Sequence, residues 1–386
     1  MMGLRFRRAS FSVYPAVYLP IIGWLLLFGC FGHRSDAAAP VADPPMEPIR
    51  VSPDGQGFVL AKSGKPFVPW GVNYDHDERG RLIEDYWTDE WAKVEEDFGE
   101  IRDLSANVVR VHLQFGKFMD AAPKHDGKPN RSALERLAKL LELAEKLGLY
   151  LDVTGLGCYH KADVPAWYDA LDERGRWQVQ AEFWKAVAMT CRESPAVFCY
   201  DLMNEPVVAA GKPKDDWLGP AFAGKHFVQY ITRGQAGRKR PDVAAAWTKT
   251  LVAAIREHDS DHLVTVGLVP WSLDRPGLTS GFVPEKIAPH VDFIAVHLYP
   301  ESGKLDEALE TLKGFAVGKP VVVEETFALK CSAKEWRTFV DRADKHAAGW
   351  VGFYWGQTLD ECKQAGTIHG AIVAAWLEEF ATGRKK

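Results

Sequence analysis

The stretch Val197-Phe198-Cys199-Tyr200-Asp201-Leu202-Met203-Asn204-Glu205-Pro206 is an apolar and aromatic run that stops on an amide, a carboxylate and a proline. A run of that length and composition predicts a buried β-strand, and the proline marks its end. Seven other stretches share this character, so strands are predicted over Phe67–Val72, Asn107–Leu113, Leu149–Val153, Val197–Leu202, His262–Val266, Asp292–His297, Pro320–Val323 and Gly349–Tyr354. Each is followed by a segment of helical period: Asp89–Leu104, Ser132–Leu147, Trp177–Arg192, Asp242–His258, a weak one at Pro284–Pro289, Leu305–Phe315, Ala333–Ala347 and Gly370–Phe380. Eight alternating units predict an α/β fold, a parallel sheet closed into a (β/α)8 TIM barrel. An open doubly wound sheet is the alternative. It usually carries a Gly-rich phosphate turn after its first strand, and Trp70-Gly71-Val72-Asn73-Tyr74 has none. Before the barrel, Ile49–Leu60 turns at Pro53-Asp54-Gly55 and predicts a short N-terminal β-hairpin.

The chain has 386 residues, a formal net charge of −5 and 14 tryptophans. No basic run stands out, which argues against a nucleic-acid partner. Arg5, Arg7 and Arg8 precede a mostly apolar run from Phe11 to Gly32, the pattern of an export signal or an N-terminal membrane anchor. Cleavage is expected after Ala37-Ala38-Ala39, or at Cys30 if Leu27-Phe28-Gly29-Cys30 serves as a lipobox. The expected organisation is therefore a leader over residues 1–39, a Pro-rich linker over 40–48 and one catalytic barrel over 49–386. The expected location is secreted, periplasmic or cell-envelope associated, with membrane contact only through the N-terminal segment. Six cysteines without a CxxC make a zinc knuckle a poor reading, while export would permit a disulfide.

In a barrel the chemistry sits where strands end, and two of the predicted strands end on carboxylates. The fourth delivers Asn204-Glu205-Pro206 and the seventh Val323-Glu324-Glu325. Two carboxylates facing each other across a cleft are the minimum apparatus for cleaving a glycosidic bond. Around them, Asn107-Val108-Val109-Arg110 lies on the second strand, His297-Leu298-Tyr299-Pro300 ends the sixth, Lys319-Pro320 opens the seventh, and Phe353-Tyr354-Trp355 ends the eighth. With these motifs in this order, the sequence from about Ile49 onward resembles clan A glycoside hydrolases, most closely the family 5 cellulases and mannanases. The resemblance implies a retaining hydrolase of β-linked glycans that acts on poly- or oligosaccharides without a metal or organic cofactor. Glu205 would be the general acid and base, and Glu325 the nucleophile. Arg110 and Tyr299 would hold Glu325, Asn204 would bind the sugar 2-hydroxyl, and Asn73 and His297 would support the site.

Adjacent strand residues point to opposite faces, so only one of Glu324 and Glu325 should enter the barrel mouth. The family's spacing from the strand's proline selects Glu325, although Thr326-Phe327 follows where an aromatic and a glycine are usual. For Asn204 and Glu205 both to reach the sugar, a β-bulge is expected at the end of the fourth strand. The third strand departs from the family pattern, because Leu151-Asp152 leads to Thr154 where a histidine is common; His160, in the next loop, is the expected substitute. His112 is expected to be a satisfied buried histidine. Indole rings stack on pyranose faces, so Trp355 is expected as the floor under the cleaved sugar, with Trp70, Trp167, Trp217 and Trp271 along outer subsites. Trp184, Trp247 and Trp336 fall within helices and are expected in the core. A metal-dependent hydrolase would need converging histidines, and the 12 present do not gather at strand ends. A glycan-binding barrel that has lost its chemistry is the alternative from another class.

Overall fold

The computed structural model describes residues 45–121, 127–275, 279–353 and 355–383. The expected leader, with Cys30 and both cleavage sites, lies outside them, as does the start of the Pro-rich linker. Eight parallel strands close into a barrel: β1 (Trp70–Tyr74), β2 (Val108–Gln114), β3 (Tyr150–Gly157), β4 (Val197–Asn204), β5 (Leu263–Leu268), β6 (Ile294–His297), β7 (Val321–Thr326) and β8 (Gly349–Gly352). Each pairs with its sequence neighbours, and β8 closes on β1 at Trp350 and Trp70.

Helices α1 (Trp91–Asp103), α2 (Arg131–Leu147), α3 (Glu173–Cys191), α4 (Arg240–Arg256), α5 (Leu305–Lys313), α6 (Ala333–Ala343) and α7 (Ile368–Gly383) form the outer layer. The crossover from β5 to β6 carries only the short helix Pro284–Ile287. Local chemistry sets the ends of α2. The Asn130 side chain accepts from the Ala133 N–H at its start, and Gly148 takes a left-handed conformation (φ 68°) at its end. Between them Leu137, Leu140, Leu141 and Ala144 fall on one buried face. Trp184, Trp247 and Trp336 are fully buried between helices and barrel, as expected. Among the described residues no helix is long and apolar enough to cross a membrane, and Cys158, Cys191, Cys199, Cys331 and Cys362 are free thiols.

The first predicted strand, Phe67–Val72, divides in two. Pro66–Phe67 joins the N-terminal hairpin as a third antiparallel strand, and the barrel strand begins only at Trp70. Pro69 lacks the N–H that a continuous ladder would need, so it separates them. The resulting three-stranded sheet caps the barrel base. Its Ile49, Phe58 and Phe67 pack against Phe198, Phe293 and Tyr150 inside the barrel, with Phe58 edge-on to Phe198 at 5.2 Å and to Phe293 at 5.3 Å. Water is thereby excluded from below the strand ends that carry the polar residues.

Phe58→Ala should cost about 3–5 kcal/mol, as deletion of a fully packed phenyl ring does. Chemical denaturation checks this; a loss below about 1 kcal/mol would mean that the cap is not part of the barrel core.

Candidate active site

Two irregularities decide what reaches the barrel mouth. Between β4 and β5, Asp201 lies opposite Thr265 and Asn204 opposite Gly267, so β4 carries one extra residue. The bulge expected there is present. Glu205 follows it with φ 47°, a left-handed conformation that a non-glycine residue holds only under constraint, and its N–H donates to the Gly267 carbonyl at 3.0 Å. Between β6 and β7, Val296 lies opposite Val323 and His297 opposite Glu325, so β7 also carries an extra residue. This corrects the expectation that alternation would turn Glu324 away. Both glutamates face the interior, Glu324 fully buried and Glu325 above it.

Arg110, from β2, is also fully buried. Its Nη2 donates to Asp201 at 2.7 Å and to Asn204 Oδ1 at 3.0 Å, and its Nη1 to Glu325 Oε1 at 2.5 Å and Asn73 Oδ1 at 2.8 Å. Glu324 Oε2 lies 3.6 Å from the same guanidinium. Asn73 donates through Nδ2 to the Glu324 and Gly352 carbonyls, which leaves its Oδ1 as the acceptor for both Arg110 and His112 Nε2. His112 therefore carries its proton on Nε2 and accepts at Nδ1 from the Tyr159 hydroxyl at 2.5 Å. Burial, reinforced by Arg110, holds its pKa well below the ordinary value. It is the satisfied buried histidine expected. Gly267 is required beneath this cluster: a Cβ there would stand 2.9 Å from His297 Nε2 and 3.1 Å from both Arg110 and Glu324.

At the mouth, His297 Nδ1 is 3.1 Å from Glu205 Oε1 and 3.4 Å from Glu325 Oε2, and its Nε2 is 3.4 Å from Glu324 Oε2. Burial opposes charge on this ring, but Glu325, Glu205 and Glu324 outweigh it and push the pKa up to about 10. Burial raises the Glu325 pKa, while His297, Arg110 and the Tyr299 hydroxyl, which donates at 2.7 Å, pull it back towards the ionised form. Ligand-type atoms of Glu205, His297 and Glu325 all lie within 4.8 Å of one another, as do those of Asp152, Cys199 and Glu324. Either trio has the donors for a metal ion, and in the first His297 could hold one only as the neutral imidazole.

The sequence matches the model of the cellulase family, glycosyl hydrolase family 5, over residues 60–358. The chain belongs to glycosyl hydrolase family 5. No curated protein matches it. Among solved structures it is similar to an exo-β-1,4-mannosidase from Opitutaceae bacterium strain TAV5 (TM-score 0.62, 16% identity, covering 86% of this chain and 61% of that one). It is also similar to an endo-1,4-β-mannanase from Rhizomucor miehei (TM-score 0.60, 20% identity, 88% and 100% covered) and to a β-1,4-mannanase from the sea hare Aplysia kurodai (TM-score 0.59, 16% identity, 86% and 95% covered).

The aromatic residues of this family 5 barrel are placed differently from expectation. Trp355 is only 3% exposed and tilts against Tyr74, and it is Phe353 that lines the cavity beside Glu325. Trp70 stacks on Phe380 at the barrel base, because it opens β1 instead of ending it. Trp217 is buried between the guanidinium groups of Arg176 and Arg233, and Trp167 packs on Phe115. Trp271 does line the cleft. His160 is not brought to the carboxylates: it borders a separate shallow depression, and Tyr159, one residue earlier, is the side chain that enters the network. Sequence reasoning missed Tyr159, Asp201, Glu324 and Asp152. The available signal was a charged residue inside an apolar strand run, as at Asp152 and Asp201, which a barrel interior tolerates only when it is partnered or neutral.

Replacing Arg110 with methionine should cost about 3–5 kcal/mol by leaving buried carboxylates without their counter-charge, and the loss should shrink between pH 7 and pH 5 as those groups protonate. Denaturation at both pH values checks this. His297, raised above its ordinary 6.5, adds stability that is complete below that pH and is lost as pH rises towards about 10. The unfolding free energy should fall across that window, and fall less in His297→Gln.

Proposed function

We propose that the chain is a retaining hydrolase of β-linked glycans of the mannan or glucan type, working by double displacement. One observation carries this reading: carboxylate oxygens of Glu205 and Glu325 lie within 4.8 Å of each other at the barrel mouth. Retaining glycosidases hold their two carboxyl groups about 5–5.5 Å apart, whereas inverting enzymes leave about 6.5–9.5 Å for a water molecule. Glu205 gives its proton to the departing oxygen while Glu325 attacks the anomeric carbon. Glu205 then takes a proton from the water that releases the sugar.

The neighbours support these roles. Arg110 and Tyr299 each donate to a different oxygen of Glu325, which fixes the carboxylate plane for attack. Asn204 spends one amide hydrogen on the Phe227 carbonyl at 3.1 Å, and its second is available to a sugar 2-hydroxyl. The mannanases and the mannosidase among the similar structures make β-mannosides the first substrates to try. We also propose export, on the basic and apolar character of residues 5–32 alone.

Glu205→Gln and Glu325→Gln should each lower kcat/KM on β-mannan or β-glucan oligosaccharides by about 10²–10⁴-fold or more while sparing binding. NMR of the first product should show the β-anomer. Activity unchanged in either variant would overturn the assignment of these carboxylates, binding without hydrolysis by the unaltered chain would favour a glycan-binding barrel without chemistry, and an initial α-anomer would exclude double displacement.

A further inference from the structure

Two cavities meet at the carboxylates, with Glu205 and Tyr299 in their common wall. Glu325 lines only the smaller one, about 370 Å3, so the anomeric carbon it attacks must lie there. Glu205 lines both, and the oxygen it protonates lies where they join. The departing part of the substrate therefore occupies the wider cavity, about 580 Å3, where Trp271, Glu301, Lys304 and Lys330 offer an indole face and charged groups to a saccharide. In the smaller cavity the rings of Phe227 and Phe353 can take the C–H faces of the attacked sugar.

Neither cavity takes a described lining residue from the chain before Glu205. The first three barrel strands are thus shut off from the cleft, and the segment after β4 stands in front of them. Its Pro220, Phe222, Phe227 and Val228 line the smaller cavity. Behind that wall the segment is tied to β1, β3 and β4. Lys225 Nζ lies 3.6 Å from Asp75, the residue after β1, and both are buried. The His226 N–H donates to the Tyr159 carbonyl at 2.8 Å, Gln229 Nε2 to the Leu156 carbonyl at 3.1 Å and Asn204 Nδ2 to the Phe227 carbonyl at 3.1 Å. Phe227 meets Tyr159 edge-on at 5.2 Å and Phe353 at 6.2 Å, which carries the wall round to the end of β8. Parting a buried ion pair leaves each charge uncompensated, so the segment is a fixed wall.

We propose that the chain attacks its glycan from the non-reducing end, taking a glycone of fixed short length into a cavity closed by the segment after β4. This rests on the hydrolase reading and deepens it from cleavage of β-glycans in general to exo attack. With its anomeric carbon against Glu325 and its leaving oxygen at Glu205, the attacked sugar points its non-reducing end away from the wider cavity. A chain continuing that way towards β1–β3 meets residues 225–229. The reaction balances as the same double displacement. The bond to the leaving oxygen breaks as Glu205 protonates it, an ester forms on Glu325, and water breaks that ester and returns a proton to Glu205.

The test uses β-1,4-linked mannan and glucan oligosaccharides of five to eight sugars, labelled at the reducing end. At every starting length the label should first appear in the product shortened by the same short unit. Label spread from the first time points over several shorter lengths would overturn the proposal. The double variant Asp75→Ala/Lys225→Ala removes both charges together and frees the segment from β1. Internal cuts should then appear, and an unchanged product ladder would overturn this closure. Binding to Glu325→Gln separates the proposal from the hydrolase reading. Octasaccharides joined to a dextran carrier through the reducing end should bind at least about tenfold more tightly than those joined through O4 of the non-reducing end, which the wall would have to admit. That difference without cleavage by the unaltered chain would mean that the chemistry was misassigned and the closed cavity was not. Equal binding would overturn the closed cavity whatever the chemistry.

Discussion

A guanidinium sealed inside a barrel must be surrounded by its own counter-charges, and Arg110 imposes that requirement on the strands around it. Asp201 comes from β4, Glu324 and Glu325 from β7, and Asn73 from β1, all converging on one planar group. The aromatic cap at the barrel base keeps water from reaching the cluster from below, so these interactions act in a poorly screened medium. Such a cluster fixes geometry more than it adds stability. Taking several charges out of water costs about as much as their attraction returns, but any strand that shifted would strand a buried charge without its partner. The site is held in register by that penalty.

Strand geometry alone could not have assembled it. A regular strand sends alternate side chains to opposite faces, so it can deliver one of two adjacent residues to the interior. The extra residues in β4 and β7 break this rule where Asn204 and Glu205, and Glu324 and Glu325, must be presented together. Gly267 is the counterpart on β5: it leaves room for the crowded side chains and offers its carbonyl to Glu205. The left-handed backbone at Glu205 is the local cost of the arrangement.

The barrel was legible in the sequence because eight apolar runs alternate with eight helical segments, a period that few architectures share. Asn204, Glu205, His297, Tyr299 and Glu325 were legible because each ends a strand or lies within two residues of its end, and Arg110, inside β2, through the motif Asn107-Val108-Val109-Arg110. Where the strands become irregular, legibility stops. The inward turn of Glu324 depends on a bulge that no local pattern announces in a run of valines and glutamates. Trp70 was misplaced because Pro69 moved the start of β1, and with it the end of the barrel at which the indole lies. Trp355 and His160 were misplaced by loop paths: one residue of displacement brings Tyr159 to the network and leaves His160 outside it.

Glu324 is the residue that explains how so many acids coexist there. Asp152 receives no hydrogen bond from any N–H group among the described residues, and it lies against Glu324. Burial, then the Glu324 charge, pushes its pKa up, which favours the protonated form that can serve Glu324 as a donor. Burial also disfavours the ionised form of Glu324, but Arg110 and His297 overcome it and hold the pKa below the ordinary value. The charge kept there sits under the imidazole, opposite Glu205 and Glu325. His297 is thus flanked by negative charge on both sides, and a ring that burial alone would neutralise stays protonated. A protonated ring can donate through both nitrogens at once, below to Glu324 and above to the two mouth glutamates. The extra residue in β7 therefore does more than position Glu325. By turning Glu324 inward it supplies the charge that makes His297 a fixed donor between the two groups proposed to break the glycosidic bond.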